Sequence, residues 1–402
     1  MESIIFILIL VLFAYMGAGL VFKSWRLPFF ISSFLHAGVG FILMGVAVGP
    51  LGMDWLNSTR LDLFIAPTSI ILSWAGLMFG LQFRVKSLRL ISRANFKIAV
   101  IQSLVVFFFC CLFLLPLRYF KPDLFLSLSE ELPVVFALAA IASISAPTAV
   151  SAVVRRMRAH GTTARTLLYV SASDAIVGIS LFGISLSFFK MDTMVEGAFV
   201  QGFIWLLITI GLGFLLGILY HVFLKLRLSS NERLVIAIGI VVMLAGAAST
   251  IDVSPLFLSM IVGIVLNNFS DDQDRLLSLL SNAEKPLFGM MLILAGAYWM
   301  GFESFCVLLS LFFVVIRIVA KMLGSRVAFW AVPLMKGNPN LFGLSLLEQG
   351  GLSIAMSLDF LNRYPGMISQ IVVSAVVIAF VINGVASSYF IRLLLNREEG
   401  IA

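Results

Sequence analysis

Charge is scarce in this chain. Asp, Glu, Lys and Arg together make up 12% of its 402 residues, whereas hydrophobic residues make up 61%. Soluble domains carry about 25% charged residues, so the composition excludes an ordinary soluble protein and predicts a polytopic membrane protein. Cysteine is also rare, and Cys110, Cys111 and Cys306 all lie inside apolar runs without metal-ligand spacing. We therefore expect no disulfide framework.

Sequence signatures of enzymes are missing as well. No phosphate-binding P-loop, HExxH, GxSxG or strand-associated GxGxxG pattern occurs, which argues against hydrolysis or ATP-driven transport within this chain. We expect neither an enzyme nor a cofactor. The formal net charge of +7 does not mark a nucleic-acid surface, because the Lys and Arg residues fall in short loops between apolar runs.

Long apolar runs dominate instead. A helix that crosses the ~30 Å hydrocarbon core of a bilayer needs about 20 residues at ~1.5 Å rise per residue. About thirteen runs reach or approach this length: 3–22, 28–53, 62–83, 96–118, 132–154, 165–189, 197–224, 233–251, 254–268, 285–302, 304–330, 338–361 and 366–391. The sequence thus predicts an all-α polytopic membrane protein with about 13 transmembrane helices.

Basic residues are distributed unevenly between the loops. Most lie in loops that follow odd-numbered spans, whereas the loops after even-numbered spans carry only Arg60, Arg118, Lys121, Lys190 and Arg363. Cytoplasmic loops of membrane proteins are enriched in Lys and Arg. We therefore predict an N-terminus outside, a C-terminus in the cytoplasm and a location in the plasma (inner) membrane.

Thirteen spans divide into six, one linker and six. With one linker span between them, the two sets of six have opposite orientations in the membrane, which is the inverted-repeat plan of many secondary transporters. We predict a single transporter domain over residues 1–402, with a first repeat at about 1–190, a linker helix at about 197–224 and a second repeat at about 233–392.

The fifth and twelfth spans hold the same position in each predicted repeat, and both are interrupted. The fifth contains ASISAPTAVSAV (142–153) with Pro147, and the twelfth contains LSLLEQGGLSIAM (344–356) with Gly350 and Gly351. Non-helical backbone at membrane depth must be satisfied by protein or by a water-filled cavity, so paired discontinuous helices indicate a binding site between the repeats. Either interruption alone is also compatible with an ordinary kink.

Four ionisable residues lie inside the predicted spans. Asp174 lies nine residues beyond Arg165, about 13 Å along a helix and thus near the bilayer midplane. Arg317 and Lys321 are four residues apart and share a helix face, and Glu348 precedes the glycine break. Two carboxylates and two cations sum to zero, as a low-dielectric interior favours. We expect one pair to be structural and the other to exchange with substrate.

Other interpretations of these residues stay open at this point. Asp174 has an alternative, purely structural role, and Lys321 has an alternative position near the cytoplasmic surface, reached by snorkelling. Three further acidic residues, Asp252, Glu284 and Asp359, lie at span ends, where we expect them to be solvated.

Several segments resemble the monovalent cation:proton antiporters of the sodium/hydrogen exchanger superfamily, near its potassium-efflux and bacterial sodium-antiporter branch. Each segment is similar to one family motif, and together they cover nearly the whole chain in the family's order. They are the second and third spans, AGVGFILMGVAVGPLGM (37–53) and GLMFGLQFRVKSLR (76–89); the broken helices, SAPTAV (145–150) and LLEQGGLSIAM (346–356); the ion-binding helix, SASDAIVG (171–178); and the Lys-x-x-Gly helix, AKMLG (320–324).

The resemblance implies alternating access by an elevator-like movement of a core bundle against a dimerising bundle, in a homodimer. It also implies that Asp174 binds either the cation or the proton, and that Lys321, or Arg317 one turn away, pairs with a carboxylate when no ion is bound. The chain departs from the family at Ser173, where relatives often carry Asp or Asn, and at Tyr169, where electroneutral relatives carry Glu. Because it ends about ten residues after its last span, we expect no cytosolic regulatory domain.

We therefore predict a secondary active antiporter that exchanges Na⁺ or K⁺ for H⁺ by alternating access, one for one and electroneutrally. The cation and H⁺ would compete for Asp174, with Ser173, Thr148, Ser145 and freed backbone carbonyls supplying neutral oxygens. Two alternatives stay open. One is a sodium-coupled symporter of a small organic anion, and the other is a transport-inactive sensor or membrane component with the same fold.

Overall fold

The computed structural model describes residues 38–83, 93–120, 128–189, 198–224, 230–269, 273–281, 283–299, 301, 304–332 and 337–399. All regular secondary structure in these ranges is helical, which confirms the all-α prediction. The α-helices are α1 (Val39–Val48), α2 (Ser58–Leu61), α3 (Ile65–Leu81), α4 (Arg93–Leu114), α5 (Leu117–Phe120), α6 (Leu128–Ser143), α7 (Pro147–Arg156), α8 (Thr162–Phe188), α9 (Ala198–Leu224), α10 (Ser230–Ile251), α11 (Pro255–Phe269), α12 (Gln273–Ser281), α13 (Glu284–Ala297), α14 (Ser304–Ala331), α15 (Pro339–Ser345), α16 (Gly350–Arg363) and α17 (Met367–Glu399).

Each predicted span contains helix wherever the chain is described, whereas the short helices α2 and α12 lie between predicted spans and α17 continues beyond the predicted end to Glu399. Within the described ranges, eight segments are long and apolar enough to cross a membrane, and the bent pair α15 and α16 supplies a ninth. The shorter apolar helices α1, α11 and α13 lie within the second, ninth and tenth predicted spans. The first predicted span, 3–22, lies outside the described residues. A total of thirteen is compatible with this arrangement and stays a prediction, as does the inverted-repeat relation.

Apolar side chains cover the outside of the protein as well as its interior. Phe203 and Leu215 on α9, and Val235 and Met243 on α10, are all exposed. Water would penalise such a surface, whereas lipid does not. These helices therefore face the hydrocarbon part of a membrane.

The helices segregate into two bundles. Helices α4, α6, α7, α8, α14, α15, α16 and α17 pack mainly on one another, and we call them the core bundle; α1, α3, α10, α11, α12 and α13 form the scaffold bundle. Between them, α9 packs against α8 of the core and α11 of the scaffold. Helix α16 makes the other main contacts between the bundles, because it packs against α3 and α13.

Glycines allow very close packing inside the scaffold bundle, between α3 and α11. A Cβ at Gly80 would lie 2.9 Å from the Cα of Gly263 and would overlap the carbonyl oxygen of Met260. Small residues at such contacts let the backbones of membrane helices approach each other closely. The scaffold bundle thus depends on this contact for its packing.

Replacing Gly80 with Ala should weaken this contact, because the added methyl group would meet backbone atoms and not a flexible side chain. We expect a loss of roughly 1–3 kcal/mol, seen as a lower midpoint of thermal unfolding in detergent. Gly211 on α9 is the matched control, because a Cβ there has nothing within 4 Å. Equal unfolding midpoints for Gly80→Ala and Gly211→Ala would contradict the packing argument.

Candidate functional site

The first discontinuous helix breaks between α6, which ends at Ser143, and α7, which begins at Pro147. Proline suits the first position of a helix because that position needs no backbone N–H and the ring presets a helical φ. Ala146 just before it is extended, as residues that precede proline prefer to be. The sequence therefore places the break at residues 144–146, where it was predicted.

The second break lies between α15, which ends at Ser345, and α16, which begins at Gly350, with a bend of 63° between the two helices. Gly350 has a φ of +60°, and a Cβ on it would lie 2.6 Å from the Cβ of Ala146. Only glycine combines the left-handed conformation with such a close approach. The predicted pair of discontinuous helices is thus present, and their breaks touch.

Hydrogen bonds join the two breaks where they cross. The N–H of Ala146 donates to the carbonyl oxygen of Glu348 at 2.8 Å. The hydroxyl of Ser145 lies 2.9 Å from the carbonyl oxygen of Leu346. Each break therefore supplies hydrogen-bonding groups to the other, which satisfies part of the backbone that the breaks leave unpaired.

Asp174 lies beside this crossing, on α8, and forms an ion pair with Lys321 of α14. Their Oδ2 and Nζ atoms are 3.2 Å apart, and both side chains are completely buried. The other contacts of the carboxylate come from Ser145, whose backbone N–H donates to Oδ1 at 3.1 Å and whose hydroxyl lies 2.5 Å from Oδ2. Lys321 therefore does not snorkel to the surface, and the alternative position near the cytoplasmic surface was wrong.

Arg317, one turn before Lys321, has a different set of partners. Its guanidinium donates to the carbonyl oxygens of Ala142 at 3.1 Å and Ile144 at 2.8 Å, both at the first break, and to that of Leu347 at the second. Arg317 is completely buried, and its planar fork of donors suits several acceptors at once. It holds the two breaks together, a role that sequence reasoning missed.

The remaining predicted site residues differ in how closely they approach the ion pair and the crossing of the two breaks. Ser173 is buried next to Asp174, and its hydroxyl has no hydrogen-bond partner among the described residues. Thr148 is exposed on the first turn of α7, where its carbonyl accepts from the hydroxyl of Ser151. Glu348 is half-buried and contributes its backbone carbonyl to the crossing. Gly351 follows Gly350 and packs so closely on Phe288 that a Cβ would overlap the ring.

Asp359 was predicted to be solvated, and this prediction was wrong. Its side chain is completely buried, because α16 continues to Arg363 and places Asp359 a full turn inside the helix end. The hydroxyl of Ser254 contacts its Oδ2 atom. Asp252 and Glu284 are exposed as predicted.

The acceptors gathered at the site are one carboxylate, a hydroxyl and several backbone carbonyls at the ends of helices. Hard oxygen ligands of this kind suit alkali cations and protons and not soft transition metals. In the described part of the chain, no three His, Cys, Asp or Glu residues are grouped as a transition-metal site would require.

Comparisons with known proteins match the chain to one family and to one fold. The family model described as "Sodium/hydrogen exchanger, transmembrane" matches residues 8–395. Two structures of the sodium proton antiporter MjNhaP1 from Methanocaldococcus jannaschii are similar in fold. One, determined at pH 8, has 15% identity and a TM-score of 0.71, and covers 98% of this chain and 99% of its own. The other, from electron microscopy, has 16% identity and a TM-score of 0.61, and the match covers 90% of this chain and 92% of that chain. No curated protein matches the sequence.

Replacing Arg317 with Lys should destabilise the protein, because a single ammonium cannot reach carbonyls of both breaks and leaves some of them buried without a donor. Each such group costs about 1–3 kcal/mol, so we expect a clearly lower midpoint of thermal unfolding. Arg326→Lys is the matched control on the same helix, since Arg326 is exposed and donates to the side chain of Asn340 and not to a carbonyl of either break. The account fails if the two variants unfold at the same temperature.

Proposed function

Because the chain belongs to the sodium/hydrogen exchanger family, we propose that it is a secondary active antiporter that exchanges Na⁺ or K⁺ for H⁺ by alternating access. It is a transporter and not an enzyme, and these ions are its cargo, not cofactors. The observation that carries the proposal is the buried ion pair between Asp174 and Lys321, beside the crossing of two broken helices.

Competition for one carboxylate is the basis of exchange. The cation and the proton both bind Asp174, and each displaces the ammonium of Lys321 from it. That ammonium keeps two other acceptors within 2.8 Å, the carbonyl oxygen of Ser143 and the hydroxyl of Ser145, so it is not left unsolvated when Asp174 is occupied. Because both ions bind at the same group, only one of them travels with the site at a time.

Neutral oxygens complete the coordination of the cation. We assign this role to the hydroxyls of Ser145, Ser173 and Thr148 and to carbonyls of the two breaks. Ser145 is already in place at 2.5 Å from Asp174, and Ser173 has a buried hydroxyl without a partner in the described ranges. Thr148 requires a movement of α7 or an ion bound nearer the exposed side of the break. The fold shared with a sodium antiporter favours Na⁺ over K⁺.

Alternating access follows from the division into two bundles. The core bundle contains Asp174, Lys321 and both breaks, so it moves as a unit against the scaffold bundle and exposes the site to one side at a time. The protein lies in the plasma (inner) membrane, with its N-terminus outside and its C-terminus in the cytoplasm, and the scaffold bundle joins two copies in a homodimer.

Replacing Asp174 with Asn should abolish exchange, because the amide is neutral, cannot take up a proton at cellular pH and attracts a cation only weakly. The measurement is cation-driven proton flux in proteoliposomes, with Na⁺, K⁺ and Li⁺ compared at several pH values. Asp62→Asn, which neutralises an exposed carboxylate three residues before α3, is the control and should transport normally.

Persistent pH-dependent cation flux in the Asp174→Asn protein would overturn the assignment of the site. Flux that requires sodium but ignores the pH gradient would instead indicate symport. Absence of flux in the wild-type protein with every cation would indicate a transport-inactive sensor or a component of a larger complex.

Exchange should be electroneutral. A bound monovalent cation and a bound proton each add one positive charge to Asp174. The loaded site therefore carries an equal charge in both directions, and no net charge crosses the membrane. We expect the initial rate in proteoliposomes to be the same at different clamped membrane potentials. A rate that rises with an inside-negative potential would show net charge movement and a second titrating group in the transport cycle.

A further inference from the structure

Three residues at the end of α16 connect the core bundle to the scaffold bundle. Asp359 contacts the hydroxyl of Ser254, which lies just before α11. Asn362 donates to the hydroxyl of Ser69 on α3 at 2.7 Å. The positive-inside prediction assigns this end of α16 to the extracellular side, and we call the contacts of Asp359, Asn362 and Arg363 the outer lock.

Arg363 completes the outer lock. Its guanidinium donates to the backbone carbonyl of Asp252 at 2.8 Å and lies 3.8 Å from the carboxylate of the same residue. The lock thus joins α16 to α3 and to both ends of the connection between α10 and α11. Its contacts must separate if the core bundle moves against the scaffold bundle.

Asp359 is the unusual member of the lock. Its side chain is completely buried, and Oδ1 has no hydrogen-bond partner in the described ranges. An ionised carboxylate accepts hydrogen bonds at both oxygens and is costly to bury without them. The contact with the hydroxyl of Ser254 reaches only Oδ2, so it leaves Oδ1 without a donor. The oxygen of this hydroxyl also accepts a hydrogen bond from the N–H of Phe257 at 3.0 Å.

Few charged groups surround Asp359. The nearest cation is Arg363 on its own helix, which is engaged with Asp252. Of the helices that pack against α16, α3 and α11 contain no ionisable residue, and α17 has none before Tyr389 and Arg392. Helix α6 contributes two more acids, Glu130 and Glu131. The charged residues of α8 and α13 are Arg165, Asp174, Glu284 and Lys285, and apart from Asp174 in the ion-binding site they lie at the opposite ends of these helices.

We propose that Asp359 is a second proton-binding site, which holds a proton while the outer lock is closed and releases it to the external water when α16 separates from α11. The proton returns from the same side when the lock closes, so it is not transported and leaves the exchange ratio unchanged. High external pH favours opening, and low external pH favours the closed lock. This proposal rests on the proposed function and on the predicted orientation.

The alternative is an ionised Asp359 that serves only as a cap for the N-terminus of α11, where the helix dipole favours a negative charge. Infrared spectroscopy separates the two, because a protonated carboxyl has a C=O stretch distinct from the bands of a carboxylate. We expect this band in the purified wild-type protein at neutral pH. It should disappear in Asp359→Asn and persist in the control Asp62→Asn.

The infrared result does not depend on transport. A spectrum of Asp359→Asn identical to that of the wild type would overturn the proposal, even in a protein that exchanges ions normally. Asp359→Asn is close in size and keeps a donor for Ser254, so we expect it to fold. If Asp359→Asn does not fold, Ser254→Ala provides the test. Loss of the Ser254 hydroxyl should shift the C=O band if Asp359 is protonated, whereas an ionised Asp359 would give no such band in either protein.

Transport provides the second test. In the wild type, the equilibrium constant for opening of the lock should rise by up to about tenfold per unit of external pH, because one proton is released when the lock opens. In Asp359→Asn, the exchange rate should no longer rise as the external pH becomes alkaline, and exchange should still require Asp174. An unchanged dependence on external pH would contradict the proposed site. Failure of the proposed function would differ, because no variant, nor the wild type, would then transport.

Discussion

The crossing of two broken helices is the constraint on which the rest of the structure depends. A helix that is interrupted in the middle of a membrane leaves carbonyl and N–H groups that water cannot satisfy. Here each break satisfies part of the other, and Arg317 supplies three donors to the remaining carbonyls. The two breaks therefore stabilise each other, and the buried guanidinium stabilises both.

The ion pair beside the crossing is a consequence of this arrangement. Ser145 lies in the first break and binds Asp174 through both its N–H and its hydroxyl, so the carboxylate is positioned by backbone that a continuous helix would not expose. The same hydroxyl accepts from Lys321. A local change in the break thus alters both members of the pair at once, which couples occupancy of the site to the conformation of the core bundle.

Much of the site could be predicted from sequence, because the position of a residue within an apolar run gives its approximate depth in the membrane. Asp174 and the breaks at Pro147 and Gly350 are recognisable from their position within apolar runs. The separate roles of Arg317 and Lys321 were not predictable. They share one helix face, and one turn of difference in height decides which of them meets carbonyls and which meets Asp174. Asp359 was missed because the sequence does not reveal how far α16 continues beyond it.

The positive charge of Arg317 is buried, yet no carboxylate contacts it among the described residues. Two helices, α6 and α15, end at the crossing, and the C-terminus of a helix carries about half an elementary negative charge. Arg317 lies at both of these ends. Its positive charge is therefore balanced by two helix termini, which explains why the side chain of Glu348 is not needed nearby. Asp174 and Lys321 then form a separate neutral pair, and the binding of a single cation or proton changes the charge of that pair by one unit in either case.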